Sequence, residues 1–85
     1  MKKFIEEVSG EGLDKLLGEN VTIWCECYIY AGKLIGVNDD NILLDGAMVV
    51  YETGPLSTPG FKDAQGIGGQ WYVRISKIES YGVTR

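Results

Sequence analysis

Two cysteines and two neighbouring aspartates are the residues of this chain whose types and spacing could do chemistry. Cys25 and Cys27 stand two apart, so on a strand both side chains would share one face. The chain holds no histidine and no further cysteine, so we favour a pair of small core thiols in a reducing compartment over a metal or redox site. Asp39 and Asp40 could bind a metal ion or transfer protons. Asp and Asn are also typical of turns, and we interpret the pair as part of a hairpin turn.

No residue pattern indicates an enzyme. Without histidine the chain lacks the usual general base at neutral pH and both the Ser-His and the Cys-His pair. The segment Gly66-Ile67-Gly68-Gly69 departs from the G-x-G-x-x-G pattern and leads into a predicted strand, whereas a phosphate-binding loop leads into a helix. We predict that the protein is not an enzyme and uses no cofactor or metal ion.

Length and charge limit the class of protein. Eighty-five residues make a single domain, 1–85, which buries only about 60% of its unfolded surface, so a partner subunit would help to stabilise it. The net charge of −4 argues against a general nucleic-acid binder but leaves room for a local basic site. No segment resembles a secretion signal or reaches about 20 apolar residues, so we expect no membrane contact and a cytoplasmic location.

The elements that must position these residues follow from hydrophobic periodicity. Apolar residues at helical spacing predict a helical N-terminal segment over 1–18, with one short amphipathic helix around 11–17. Strict alternation over 21–30 predicts a half-buried strand, followed by a turn at Ala31-Gly32. The second face of that strand is either a stacking platform or a surface covered by a helix or a neighbouring subunit. Its aromatic side chains are Trp24, Tyr28 and Tyr30.

Four further strands are predicted downstream. Gly36 and Gly46 should mark sharp bends, because glycine inside a strand often does so. A long loop over 53–69 carries both prolines, and loops of this length are often functional or disordered. One short helix and five short strands predict a mostly β fold, a small closed or partly open barrel whose free edges another copy could pair. The four downstream strands are predicted over 33–37, 42–52, 70–76 and 78–81.

Residues 32–47, GKLIGVNDDNILLDGA, resemble the first signature of the Sm-like family, which includes the Sm, Lsm and Hfq proteins. In that family a strand with Gly-x-Leu leads through an Asp-containing turn into a Leu-rich strand. Residues 72–78, YVRISKI, resemble the second signature less closely, since Arg74 and Ile78 match but Ile75 stands where the family has glycine. The resemblance covers most of the chain and leaves 53–69 as an insertion.

The resemblance implies both a fold and an assembly. The fold is a short N-terminal α-helix followed by a strongly bent, five-stranded antiparallel SH3-like barrel of the Sm type. Subunits of this family form a homo-oligomeric ring of about five to seven copies, in which the fourth strand of one subunit pairs with the fifth strand of the next. Single-stranded RNA binds near the pore, and the implied role is that of an RNA chaperone or regulator.

The same resemblance implies a set of RNA-binding residues. Asn38 stands at the family's turn aspartate, Asn41 at the asparagine that reads a base edge, and Arg74 at the arginine that stacks on the base. Asp39 lies in the same turn, and Lys77 is a further candidate for phosphate contact. From the residues alone, Asn38 and Asn41 could instead only cap a hairpin.

The turn also departs from the family pattern, and this leaves a second function open. The family places an aromatic or imidazole side chain where this chain has Asp39 or Asp40. Two carboxylates facing a pore would repel phosphate, and a ring would repeat the repulsion in every subunit. The alternative function is a ring-forming protein-interaction or scaffold module with no nucleic-acid binding. Arg74 has an alternative as well, because it could simply pair with Glu26 or Glu79.

Overall fold

The protein folds into one antiparallel β-sheet, which confirms the mostly β prediction. The structure is a computed structural model that describes residues 12–84, so residues 1–11 and 85 lie outside it. One turn of 3₁₀ helix, Leu13–Leu16, precedes the strands, and a second, Ile75–Lys77, joins the last two. The strands are β1 (Asn20–Cys25), β2 (Ile29–Val37), β3 (Asn41–Glu52), β4 (Asp63–Gly66), β5 (Gln70–Arg74) and β6 (Ile78–Val83).

The long third strand organises the sheet. On one side β3 pairs with β2, and on the other it pairs with β5 near its start and with β4 near its end. β2 pairs with β1, and β1 pairs with β6, so the strand order is β4-β3-β2-β1-β6, with β5 beside β3. Within residues 12–84, no pairing between β5 and β6 closes this sheet into a complete barrel.

A small apolar core lies against one face of the sheet. The alternation in β1 places Val21 and Ile23 inside, as the sequence pattern predicts. No polar or charged residue is buried anywhere in the described part of the chain. Burial of one such apolar side chain contributes about 1.5–3 kcal/mol, so the core cluster is the main stabilising element of the fold. Its members are Val21, Ile23, Leu34, Ile42, Leu44, Ala47 and Val73.

The pairing of β2 with β3 shifts register at two points. The first shift in the β2–β3 register lies opposite Gly46, whose φ of +60° favours glycine. At the same point the strands approach so closely that a Cβ on Gly32 would lie 3.0 Å from the carbonyl oxygen of Asp45. The second shift lies beside Gly36. The glycines predicted to mark bends, Gly36 and Gly46, therefore both lie at irregularities in the β2–β3 pairing.

The open side of the sheet leaves core-facing side chains exposed on both flanking strands. Trp71 of β5 lies opposite Leu44 and so points toward the core side, yet it is 42% exposed. Tyr81 of β6 lies opposite Ile23 and is 41% exposed, and Val83 further along β6 is 53% exposed. An apolar gap therefore separates β5 from β6.

The N-terminal helix is shorter than predicted. In place of a helix around 11–17, the described residues contain only the four-residue 3₁₀ turn Leu13–Leu16. Gly12 and Gly18 flank it with φ values of +87° and +89°, in a conformation that a helix cannot continue through. The rest of the predicted helical segment, 1–11, lies outside the described residues.

The first predicted strand is two strands, and the turn predicted at Ala31-Gly32 is wrong. The chain turns at 26–28, where the Cys25 amide donates to the Tyr28 carbonyl at 3.0 Å, and Ala31-Gly32 lies within β2. The alternation of apolar and polar residues continues through this turn, which hides it. Its effect is to place Ile29 opposite Trp24, on the other face from the one that the pattern predicts.

The segment predicted as a loop over 53–69 contains a sixth strand. β4 pairs through its backbone with the end of β3, and all four of its residues are exposed. Its sequence, DAQG, has neither β-branched nor aromatic residues and so carries no strand pattern. The sheet therefore has six strands instead of five, and the loop proper ends at Lys62.

Candidate nucleic-acid interface

The turn between β2 and β3 is closed by the side chain of Asn38. Its Oδ1 accepts hydrogen bonds from the backbone amides of Asp40 at 2.9 Å and Asn41 at 2.8 Å. The backbone amide of Asn38 donates to the backbone carbonyl oxygen of Asn41 at 2.9 Å, which completes a tight hairpin. Asn38 therefore shapes the turn, while Asp39 and Asp40 stand exposed on it.

β5 brings Arg74 to this turn. Arg74 lies opposite Asn41 in the β3–β5 register, and the Ile75 amide donates to the Asp40 carbonyl at 2.9 Å. Four of the five predicted site residues, Asn38, Asp39, Asn41 and Arg74, are thus placed at one corner of the sheet.

Arg74 does not form the ion pair that the sequence left open. Its side chain makes no ion pair with any residue of 12–84, including Glu26 and Glu79. Glu26 pairs instead with Lys77, whose Nζ lies 3.4 Å from its Oε2. Both groups of that pair are exposed, so it contributes only about 0–1 kcal/mol. An arginine with no carboxylate partner in an acidic chain is free to bind an anionic ligand.

A pocket of about 270 Å³ lies where the turn between β1 and β2 meets the corner between β5 and β6. We call it the end pocket. Tyr28 and Tyr30 contribute a tilted aromatic pair with ring centroids 6.2 Å apart, and Arg74 and Lys77 contribute cations. The backbone holds this corner together, because the Glu26 amide donates to the Lys77 carbonyl at 3.3 Å. The lining residues are Cys25, Glu26, Cys27, Tyr28, Tyr30, Val73, Arg74 and Lys77.

The end pocket was not evident from the sequence, although the aromatic residues were. Trp24, Tyr28 and Tyr30 alternate as if along one strand. The turn at 26–28 separates them, so that Tyr28 and Tyr30 line the end pocket and Trp24 does not. The aromatic spacing was a usable signal, but the contribution of Arg74 and Lys77 depends on tertiary folding.

Two groups of the end pocket hold their protons strongly. Burial, with the nearby carboxylates of Glu79 and Glu26, raises the pKa of the Cys25 thiol above its usual value. Burial also raises the pKa of the Tyr30 phenol, with smaller effects of Cys25 and Tyr28. Both groups are neutral at pH 7, so Cys25 is a poor nucleophile and Tyr30 keeps a hydroxyl that can donate a hydrogen bond.

A second cavity, of about 330 Å³, lies between the loop over 53–61 and the outer face of β1 and β6. We call it the outer groove. Ala31 lies opposite Thr22 on this face and is buried although it is outside the core cluster. The loop is closed at its base by the Lys62–Glu52 ion pair, at 3.3 Å. Its lining includes Thr22, Trp24, Pro55, Leu56, Phe61 and the β6 residues Tyr81, Gly82 and Val83, with Thr84 after them.

No protein-family model matches this chain, and no curated protein matches it. Across residues 12–84, no cluster of three or more cysteine, aspartate or glutamate side chains could hold a metal ion. In the same part of the chain, no helix is long and apolar enough to cross a membrane.

Proposed function

We propose that this chain is one subunit of a homo-oligomeric, Sm-like ring that binds single-stranded RNA. The gap between β5 and β6 carries the proposal for the assembly. Trp71 on one side of the gap and Tyr81 and Val83 on the other point toward the core side yet remain exposed. If β5 of one subunit paired with β6 of the next, each interface would cover these side chains and satisfy the free strand edges. Repetition of this contact would close a ring, for which the resemblance to Sm-like proteins implies about five to seven copies.

The corner between the β2–β3 turn and β5 supports RNA as the ligand. Arg74 has no ion-pair partner in the described residues and lies opposite Asn41. A guanidinium can stack on a base or bind phosphate, and an amide can read a base edge. A ring would bring several copies of this corner together, so weak contacts would add along one strand of RNA. The role we assign is that of an RNA chaperone or regulator.

A second candidate is a ring that serves as a protein-interaction scaffold and binds no nucleic acid. The exposed carboxylates of Asp39 and Asp40 favour it, because they stand on the same turn that Arg74 adjoins. In a chain with a net charge of −4, they would repel phosphate in every subunit of the ring.

The assembly is tested by light scattering on the full chain and on Val83→Lys. Val83 is 53% exposed in the monomer, so the variant should fold, but it would place a charge inside the proposed β5–β6 interface. We expect a discrete oligomer of about five to seven subunits for the wild type and a monomer for Val83→Lys. A wild-type protein that is monomeric at all concentrations would contradict the ring.

RNA binding is tested with fluorescent oligo-U and oligo-A at low and moderate salt. We expect binding that weakens with salt and an affinity that falls about 5- to 150-fold in Arg74→Ala, since an arginine contact of this kind contributes about 1–3 kcal/mol. The matched control is Lys33→Ala, which removes one exposed cation of β2 outside this corner. A ring that binds neither oligonucleotide at low salt would contradict RNA binding and favour the scaffold function. Equal losses in the two variants would show that Arg74 has no special role.

A further inference from the structure

The end pocket combines an aromatic wall, cations and an apolar floor. Tyr28 is 58% exposed, so more than half of its surface is accessible from solvent. Tyr30 is half-buried and packs against the core cluster. The centroids of the Tyr28 and Tyr30 rings are 6.2 Å apart. Buried Val73 lines the pocket as well. A flat, partly apolar group could therefore stack on Tyr28 and reach into the pocket.

The charge of the end pocket is opposite in sign to that of the chain. Its lining holds two cations, Arg74 and Lys77, and one carboxylate, Glu26, which gives +1 against a chain total of −4. Glu26 is engaged by Lys77 at 3.4 Å, and Arg74 has no ion pair within residues 12–84. An anionic group on the ligand would be attracted here and repelled over most of the remaining surface.

The end pocket has room for one small group, such as a single planar ring with a substituent. Its volume of about 270 Å³ lies just below the usual range of about 300–1,000 Å³ for small-molecule sites. A planar ring with one attached anionic group meets all three conditions of shape, charge and size. A nucleotide is such a group, and its base offers a stacking face whatever its sequence.

We infer that the end pocket binds one nucleotide of single-stranded RNA, with its base stacked on Tyr28 and its phosphate held by Arg74. This inference rests on the proposed RNA-binding function and assigns the stacking partner of that site. The base then lies within the end pocket, whose lining does not include Asp39 and Asp40, so their carboxylates are not part of the stacking contact. Tyr28 thus supplies the aromatic stacking surface that the turn residues Asp39 and Asp40 lack.

The test compares three tyrosine variants of the full chain for binding of oligo-U and oligo-A. Base stacking on an aromatic ring contributes a factor of about 5 to 150 in affinity per base. We expect a loss in that range for Tyr28→Leu and wild-type affinity for Tyr28→Phe, which keeps the ring. The control is Tyr51→Leu, because Tyr51 is equally exposed, at 60%, but lies on β3 outside the end pocket. Light scattering and thermal unfolding check that each variant assembles and folds.

A second measurement locates the ligand without relying on affinity. Uridine and adenosine monophosphate are titrated into the isotope-labelled protein, with inorganic phosphate as the probe for the anion alone. We expect the nucleotides to shift the amide signals of Cys27, Tyr28 and Arg74, and phosphate to shift Arg74 without Tyr28. Oligonucleotide binding that survives Tyr28→Leu, with shifts confined to 38–41, would overturn this inference and leave the RNA-binding function intact. A wild-type protein that binds neither oligonucleotide nor mononucleotide would overturn both.

Discussion

At the scale of single residues, two glycines shape the pairing of β2 with β3 in different ways. Gly46 adopts a positive φ with open space around it, so its role is conformational. Gly32 has an ordinary φ but lies against the backbone of β3, so its role is steric. The sequence pattern pointed to Gly46 and Gly36 but placed Gly32 in a turn. A close approach between strands cannot be read from one strand alone.

Replacing Gly32 with alanine should destabilise the fold. The new Cβ would lie 3.0 Å from the Asp45 carbonyl oxygen and 3.2 Å from the Ala47 Cα. Both are backbone atoms and cannot rotate away. We expect a loss of about 1–3 kcal/mol in the free energy of unfolding, measured by urea unfolding at one fixed protein concentration. Gly66→Ala is the control, because a Cβ there meets nothing within 4 Å. Equal unfolding midpoints for the two variants would contradict the steric role of Gly32.

The half-buried thiol of Cys25 should make stability depend on alkaline pH. Its pKa is raised in the folded protein by burial, and by Glu79 and Glu26, so the folded state holds the proton more tightly than the unfolded chain. The resulting stability is fully present below the unfolded pKa of about 8.5 and is lost as the pH rises through the folded pKa. We expect the free energy of unfolding to fall as the pH rises above the unfolded pKa of about 8.5.

Two serine variants separate this effect from general alkaline unfolding. Cys25→Ser removes the titrating thiol and should flatten the decline in the free energy of unfolding over that pH range. Cys27→Ser changes an exposed cysteine, keeps the half-buried thiol and should retain the decline. The same slope in both variants would show that Cys25 is not the group responsible.

At the scale of elements, the sequence predicts the strands that bury alternate side chains and misses those held by the backbone alone. β1 was evident because Val21 and Ile23 alternate with polar neighbours and are both buried. β4 was not evident, since each of its residues is exposed and only its pairing with β3 makes it a strand. The turn at 26–28 was missed because the alternation of residue types continues across it. The periodicity of apolar residues indicates which side chains are buried. It gives no information where backbone pairing or a turn determines the structure.

The candidate site likewise has parts that local sequence predicts and parts that depend on tertiary folding. The turn of Asn38 and Asn41 was predictable, because turn residues act on their own neighbours in sequence. The position of Arg74 beside that turn was expected only through the family resemblance, and the β3–β5 register places it there. The end pocket joins Tyr28 to Arg74 across 46 positions of sequence. No local pattern specifies such a contact, since it exists only when the sheet curls.

At the scale of the whole molecule, exposed apolar surface and net negative charge have opposite effects on assembly. Its apolar gap favours assembly, while its net charge of −4 is multiplied by the number of subunits and opposes both assembly and phosphate binding. The local charge of +1 in the lining of the end pocket could draw RNA to one place on such a surface. The carboxylates of Asp39 and Asp40 then set how strongly RNA is repelled nearby.

The double variant Asp39→Asn, Asp40→Asn should bind RNA more tightly than the wild type. It changes the net charge of each subunit from −4 to −2, and stability should change little because both side chains are exposed and asparagine suits a turn. We expect a several-fold gain in oligo-U affinity at low salt, measured by fluorescence anisotropy. The gain should shrink toward 1 M salt, where the Debye length falls to about 3 Å.

A control with the same change in net charge tells local from global repulsion. Asp14→Asn, Glu19→Gln removes two exposed carboxylates outside the turn. If repulsion acts locally at the turn, this variant should gain less affinity than the turn variant at every salt concentration. Equal gains would mean that the total charge of the ring governs RNA binding and that the position of the two aspartates is immaterial. No binding by either variant at low salt, with the ring intact, would assign the acidic turn to recognition of a protein partner.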